Sequence, residues 1–290
     1  MTRQAAKNDP VQFIVTRPAS QQESLLSQLR ALIEAQKYKC SGFPLQQTKS
    51  NAFAKPSSSY RVEYFPLIAI KPHRSELLGM EFSLWDGVIF ISKNAVRHLK
   101  DQLTEAQWRI LLTRPLYTVG KATAALVKTE VEDQHIKNDV IFPETASTEG
   151  LLSLDALQDI STQHWMIVKG VEGREKLRSE MNNKGALIVE QEVYQRVLPS
   201  SEIQEGIRKV KNVSAIWIVT SVQALKNLAF ILDSKHQDCR VITSSDRISH
   251  VARLSGFEIV AQSLNATDEA LVSCIEKLLA AQVERSRGIN

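Results

Sequence analysis

Residues His164 to Pro199 read HWMIVKGVEGREKLRSEMNNKGALIVEQEVYQRVLP. Trp165 to Val168 is a short apolar run of the kind that fills a strand buried on both faces. A glycine-bearing turn, Gly170 to Gly173, then leads into a helix on which Leu177 and Met181 lie four apart and share the buried face. Gly185 supplies the left-handed stop. Ala186 to Val189 is a return strand, and Tyr194 follows in a second extended segment, VYQRV. The turn feeds a helix N-terminus, where unpaired backbone N–H groups and the helix dipole favour an anion. Lys169 and Arg174 flank it.

The same rhythm runs outward in both directions. Phe13 to Thr16 is a short apolar run closed by Arg17-Pro18. Ser20 to Glu23 has capping-box form and precedes Leu25, Leu29, Leu32 and Ile33 on one helical face. Glu63 to Ile70 is extended, and Gly87 to Ile91 is a continuous apolar strand. Ser92 can cap the helix bearing Ala95, Val96 and Leu99. Tyr117 to Gly120 runs into a helix at Thr123 to Lys128, and Val140 to Phe142 precedes one at Gly150 to Leu157. Strands alternating with helices predict an α/β protein with parallel sheets and helices on both faces. Lys39 to Arg61 has no periodicity and reads as an exposed, flexible insertion.

The second half repeats the first. IVTR at Ile14 is answered by IVKG at Ile167, and IFIS at Ile89 by IVTS at Ile218. TASTEGLL from Thr145 is answered by NATDEALV from Asn265. This is an internal duplication whose copies differ in loop length.

Composition narrows the function classes. Apolar residues at 43% and charged at 23% describe an ordinary globular protein of one or two domains. The formal net charge of +4 is spread along the chain, without the basic clusters nucleic acid would require. Cys40, Cys239 and Cys274 lack any CxxC, and the six histidines show no HxxxH or HExxH, so no metal site is expected. No run approaches a membrane span, and the polar first ten residues carry no apolar leader core, so a cytoplasmic protein is expected. GxSxG, GxGxxG and Walker loops are all missing.

The order and spacing of several segments resemble the uroporphyrinogen-III synthase family. They are VTRP at Val15, FPLIAI at Phe65, FISKNAV at Phe90, VGKATAAL at Val119, STEGLL at Ser147, the GRE turn with KGA and VYxRxxP, VTSVQALKNL at Val219 and SDRISHVARLSGF at Ser245. The resemblance covers roughly Phe13 to Leu279 and implies two α/β domains joined by a two-stranded linker. Domain 1 would take residues 10–63 and 198–285, with the 39–61 insertion, and domain 2 would take 71–188. Segments 64–70 and 189–197 would be the linker strands; sequential halves are the alternative that the repeat pattern alone would give.

The implied substrate is hydroxymethylbilane, a linear tetrapyrrole with eight carboxylates, received from hydroxymethylbilane synthase. The implied enzyme is a monomer that needs no cofactor. Hydroxyls and glycines at strand ends before helices suit such a polyanion. The candidate receptors are Thr16, Arg17, Ser92, Asn94, Gly120, Thr123, Lys169, Gly173, Arg174, Thr220, Ser221, Ser245 and Arg247. The plain alternatives are N-capping for the hydroxyls and solvated surface charge for the cations. Two positions depart from the family pattern: Lys169 stands where an arginine is expected, and Ile91 where a threonine is.

In the implied reaction the terminal hydroxyl leaves, the substituted carbon of the last ring is attacked to give a spiro intermediate, and reclosure inverts ring D. The pyrrole nitrogens supply the push, so the protein mainly positions the chain and stabilises the cationic intermediate. No histidine sits in the recurring turns, which leaves Tyr194 as the candidate acid, a phenol still protonated near neutral pH. Alternation along VYQRV predicts Val193, Gln195 and Val197 on one side and Tyr194 on the other. The competing class is a non-catalytic bilobed module that binds a tetrapyrrole or another anion.

Overall fold

The computed structural model describes residues 10–41, 60–74, 81–173, 175–210, 214–233 and 239–286. The chain runs through β1 (Val11–Val15), α1 (Glu23–Ser41), β2 (Tyr60–Tyr64), β3 (Ala69–Pro72), β4 (Gly87–Phe90), α2 (Lys93–Lys100) and α3 (Glu105–Leu112). Next come β5 (Leu116–Thr118), α4 (Lys121–Asp133), β6 (Val140–Ile141), α5 (Thr148–Leu152), β7 (His164–Gly170), α6 (Lys176–Asn183) and β8 (Leu187–Val197). The last stretch carries α7 (Ser201–Lys209), β9 (Ala215–Val219), α8 (Val222–Leu232), β10 (Arg240–Thr243), α9 (Asp246–Leu254), β11 (Glu258–Gln262) and α10 (Asp268–Ser286).

Two compact units result, one from residues 1–69 and 198–290 and the other from 70–197. Among the described residues the first holds a five-stranded sheet in the order β11-β10-β9-β1-β2, and the second a six-stranded sheet in the order β3-β8-β7-β4-β5-β6. The pairs β1 with β2 and β9, β10 with β9 and β11, β4 with β5 and β7, β5 with β6, and β7 with β8 are all parallel. Counted from β1, the first sheet has the doubly wound order 2-1-3-4-5. Counted from β7, the second has the same order, with β3 added at its edge. β1 therefore matches β7 and β9 matches β4, the same pairs that the repeated IVTR/IVKG and IFIS/IVTS segments identify.

Each sheet is covered because its central strands are apolar on both faces. In the second unit Val88, Phe90, Met166 and Val168 pack with Val96, Leu99, Trp108, Leu111 and Val127 from α2, α3 and α4. The alternate residues Ile89, Trp165 and Ile167 pack with Leu151, Leu177 and Met181 from α5 and α6. In the first unit Phe13, Val15, Ile216 and Ile218 meet Leu25 and Leu29 of α1 and Leu271 and Ile275 of α10. α8 and α9 pack on β9 and β10. Full burial of one such side chain stabilises by about 1.5–3 kcal/mol, so these faces dominate the fold energy.

Several expectations change in detail. α1 begins at Glu23 after a 3-10 turn at Ala19–Gln21, so Ser20 lies inside that turn and not at a capping box. The expected helix from Gly150 to Leu157 is two pieces, α5 and a 3-10 turn at Asp155–Leu157. α3, unforeseen, carries a true capping box between Thr104 and Gln107. Residues 189–197 belong to β8, which begins at Leu187, pairs along β7 up to Gly170 and has β3 as its other neighbour. Tyr64 closes a strand of the first sheet and Ala69 opens one of the second. Residues 42–59 of the expected insertion lie outside the described residues.

Candidate functional site

In doubly wound sheets the loops beyond the carboxyl ends of the strands, where the strand order reverses, are the ligand-binding edge. The reversals lie between β7 and β4 in the second unit and between β1 and β9 in the first. Ser92 follows β4 and caps α2, its hydroxyl accepting from the Ala95 amide at 3.2 Å. The phenol oxygen of Tyr194 lies 3.1 Å from the same hydroxyl.

Tyr194 reaches Ser92 because β8 is bulged. Lys169 pairs with Glu192, but its neighbour Gly170 pairs with Tyr194, which leaves Val193 as the extra residue. A bulge re-aims the side chains beyond it. The alternation expected for VYQRV fails here: Val193 and Tyr194 are both buried, in one cluster. The Val193 carbonyl accepts from the His73 amide at 2.9 Å and from Gln102 Nε2 at 3.2 Å. Gln102 also reaches the carbonyls of His73 and His98, at 2.9 and 3.0 Å. The His98 ring stacks on that of Tyr194 with centroids 5.9 Å apart.

The other candidates of this unit have different neighbours. Lys169 is buried, its ammonium 3.2 Å from Glu190 and 3.8 Å from Glu192, and Glu190 in turn lies 3.5 Å from Arg178. Its charge is thus matched within the protein. Gly173 lies over its stem, since a Cβ there would be 3.0 Å from Lys169 Cε. Arg174 lies outside the described residues. Gly120 caps α4 through its backbone, while Asn94 and Thr123 are buried on the first turns of α2 and α4. The Glu149 carboxyl, in α5, is held below the usual carboxylate range by its hydrogen bond to Lys176 at the start of α6.

In the first unit Thr16 is buried and donates to the Ile218 carbonyl at 2.6 Å, tying β1 to β9 across the reversal. Arg17 pairs with Asp268 and donates to the Ala266 carbonyl, so its fork joins the β1 turn to the start of α10. Tyr64 donates to the Arg17 carbonyl at 3.2 Å, and burial pushes its phenol pKa up to about 12. Ser221 and Ser245 cap α8 and α9, accepting from Ala224 and Ile248. Thr220 is half-buried beside Ser221, and Arg247 is exposed. A groove of about 800 Å³ runs past Ser245, Gln262 and Ser263 to Cys274 and Lys277 of α10. Among the described residues no three His, Cys, Asp or Glu side chains gather as a metal site would require.

The sequence pattern described as "Uroporphyrinogen-III synthase HemD" matches residues 55–273. The chain belongs to the uroporphyrinogen-III synthase family. It is similar to the uroporphyrinogen-III synthase of Escherichia coli (strain K12), 25% identical over 271 residues that cover 91% of this chain and 99% of that one. The corresponding protein of Proteus mirabilis is 31% identical over 139 residues, covering 48% of this chain and 67% of its own. Among solved structures, the uroporphyrinogen-III synthetase of Helicobacter pylori 26695 shares the fold, with a TM-score of 0.56 at 17% identity over 76% of this chain and 93% of that one. A mutant uroporphyrinogen III synthase of the extremely thermophilic bacterium Thermus thermophilus does so with 0.51 at 11% identity, over 97% and 100%.

Family membership makes the chain a cyclising lyase of tetrapyrrole biosynthesis. No helix among the described residues is long and apolar enough to cross a membrane. Four neighbours of the candidate residues escaped the sequence: Gln102, His98, Glu190 and Asp268. Only Asp268 carried a signal, as a first-turn acid in the repeated NATDEALV segment; its partner Arg17 lies 251 residues away.

Proposed function

We propose that this protein closes hydroxymethylbilane to uroporphyrinogen III without a cofactor, with Tyr194 as the proton donor. The observation that carries the reading is the family match across 55–273, a span that contains Ser92, Lys169 and Tyr194. In the first step the Tyr194 phenol gives its proton to the terminal hydroxyl, which departs as water while the adjacent pyrrole nitrogen supplies the electron pair. The substituted carbon of ring D then attacks the resulting azafulvene to give the spiro intermediate. Fragmentation and reclosure invert that ring, and loss of a ring proton restores the pyrrole.

The hydrogen bond between Ser92 and Tyr194 supports this role. Ser92 already accepts from the Ala95 amide, so its own O–H can donate to the phenol oxygen and leave the phenol proton for the substrate. As the proton leaves, charge develops on an oxygen beside the N-terminus of α2, whose dipole favours an anion. Asn94, Gly120, Thr123, Gly173, Arg174, Thr220, Ser221, Ser245 and Arg247 are proposed to receive the substrate carboxylates, with hydroxymethylbilane delivered by its synthase. Thr16, Arg17 and Lys169 are proposed to act through the shape of their turns: the Thr16 hydroxyl donates to Ile218, and the two cations are paired with carboxylates. A monomer working in the cytoplasm completes the reading.

The test supplies hydroxymethylbilane from a coupled deaminase and resolves the oxidised porphyrin isomers. Isomer III above the spontaneous background is expected. Isomer I alone, at the unaided rate, would leave a binding module in place of an enzyme.

A further inference from the structure

Gly170 sits at the end of β7, opposite Tyr194. A Cβ built on it would lie 2.8 Å from both Cε2 and Cζ of the Tyr194 ring and 3.2 Å from its hydroxyl oxygen. Ordinary carbon contacts are about 3.5–4.0 Å, so any side chain there would push the ring back by roughly 1 Å. Backbone geometry is not the reason for a glycine: the positive-φ glycines are Gly185 and Gly256 among the described residues, and Gly170 is not one of them. The duplicated position makes the same point. Matching IVTR to IVKG sets Gly170 against Arg17, which has a full side chain at the end of β1 and turns it toward Asp268. What marks the second copy is that the Tyr194 ring lies where the side chain of residue 170 would stand.

Three groups thus define where the phenol stands. The bulge at Val193 turns Tyr194 toward β7, the His98 ring stacks on it, and the bare Cα of Gly170 lets it come close enough for its oxygen to meet Ser92. We propose that Gly170 is a positioning residue for the reaction: the missing side chain sets the depth of the Tyr194 phenol and hence its alignment with Ser92 and the departing hydroxyl. This rests on the proton-donor reading of Tyr194. It adds a residue that touches neither substrate nor reacting atoms.

The test is Gly170→Ala beside Tyr194→Phe, each assayed for kcat, KM, isomer ratio and thermal stability. Gly170→Ala should lower kcat by about 10- to 10²-fold, the effect of a misplacement near 1 Å, while KM changes less than threefold, about an order of magnitude below that loss. Isomer I should rise in the product. With 3-fluorotyrosine incorporated, the ¹⁹F resonance that vanishes in Tyr194→Phe should shift in Gly170→Ala while the others stay in place. Stability supplies a second arm that holds even if Gly170→Ala folds poorly. In a Tyr194→Ala background the added methyl meets no ring, so Gly170→Ala should cost little there and much in the wild-type background. Equal destabilisation in both backgrounds would place the clash elsewhere and overturn the proposal. So would wild-type kcat in Gly170→Ala when Tyr194→Phe is impaired. Wild-type kcat in Tyr194→Phe would instead remove the proton-donor reading, and the Gly170 proposal with it.

Discussion

The Tyr194 phenol and the Ser92 hydroxyl, 102 residues apart in sequence, stand 3.1 Å from each other at the carboxyl edge of the second sheet. Ser92 thereby serves two neighbours, the first turn of α2 and the phenol. Tyr194→Phe keeps the ring and its packing and deletes only the oxygen. Turnover should fall by roughly 10²-fold, with product drifting toward isomer I, while the melting temperature moves little. Near-normal turnover with pure isomer III would remove the hydroxyl from the chemistry.

Ser92→Ala removes the cap as well as the phenol's partner. Loss of an N-cap costs about 1 kcal/mol, so this variant should be measurably less stable than Tyr194→Phe in urea titrations. Ser92→Thr, which retains a hydroxyl, should recover most of that difference. Failure of threonine to recover any stability would mean that the cap hydrogen bond contributes little.

Arg17 and Asp268 should behave as an internal strut. Asp268→Asn and Arg17→Met should each destabilise the protein by about 2 kcal/mol, the scale of a hydrogen bond to a charged group, and the double variant by little more than either. A double-mutant cycle measures this. An Arg17 variant with unchanged stability and a steep rise in KM would show a guanidinium engaged by substrate.

Lys169 has a stronger expectation because it is buried. Lys169→Met takes the buried ammonium from Glu190 and Glu192, leaving Glu190 the more exposed Arg178, and should destabilise by about 3 kcal/mol. Adding Glu190→Gln should restore part of that, since it removes the carboxylate nearest the lost ammonium. An additive loss in the pair would mean that the lysine acts through its packing alone.

Tyr64 predicts an alkaline limit. Its native phenol holds the proton to about 12, whereas an unfolded tyrosine releases it near the ordinary value of about 10. The native state binds more protons between those values, so the contribution is full below pH 10 and is lost as pH rises toward 12. Denaturation at pH 9 and pH 11.5 should show wild type losing more stability than Tyr64→Phe. Parallel losses would assign the alkaline transition to other groups.

The strands and their helices were legible because burial on both faces writes continuous apolar runs, as in GVIF and WMIV. The stops were legible where chemistry demands a particular residue, as at Gly185, whose φ of +85° suits glycine. α3 was missed because its apolar face is short and Trp108 is matched across the unit by α4, through Glu130. The capping serines Ser92, Ser221 and Ser245 were readable, since a cap bonds its own helix within four residues.

What the sequence by itself determined is local or repetitive: α/β class, the duplication, the strand-to-helix turns, and the family through the order of its segments. Tertiary structure decided the rest, because those features depend on partners far apart in the chain. Arg17 looked free for a ligand until the fold brought Asp268 to it, and Lys169 until β8 set two glutamates beside its ammonium. The side on which Tyr194 emerges was beyond any alternation rule, since one extra residue at Val193 reverses it. Such a bulge belongs to the pairing of two strands, and no single strand carries its mark.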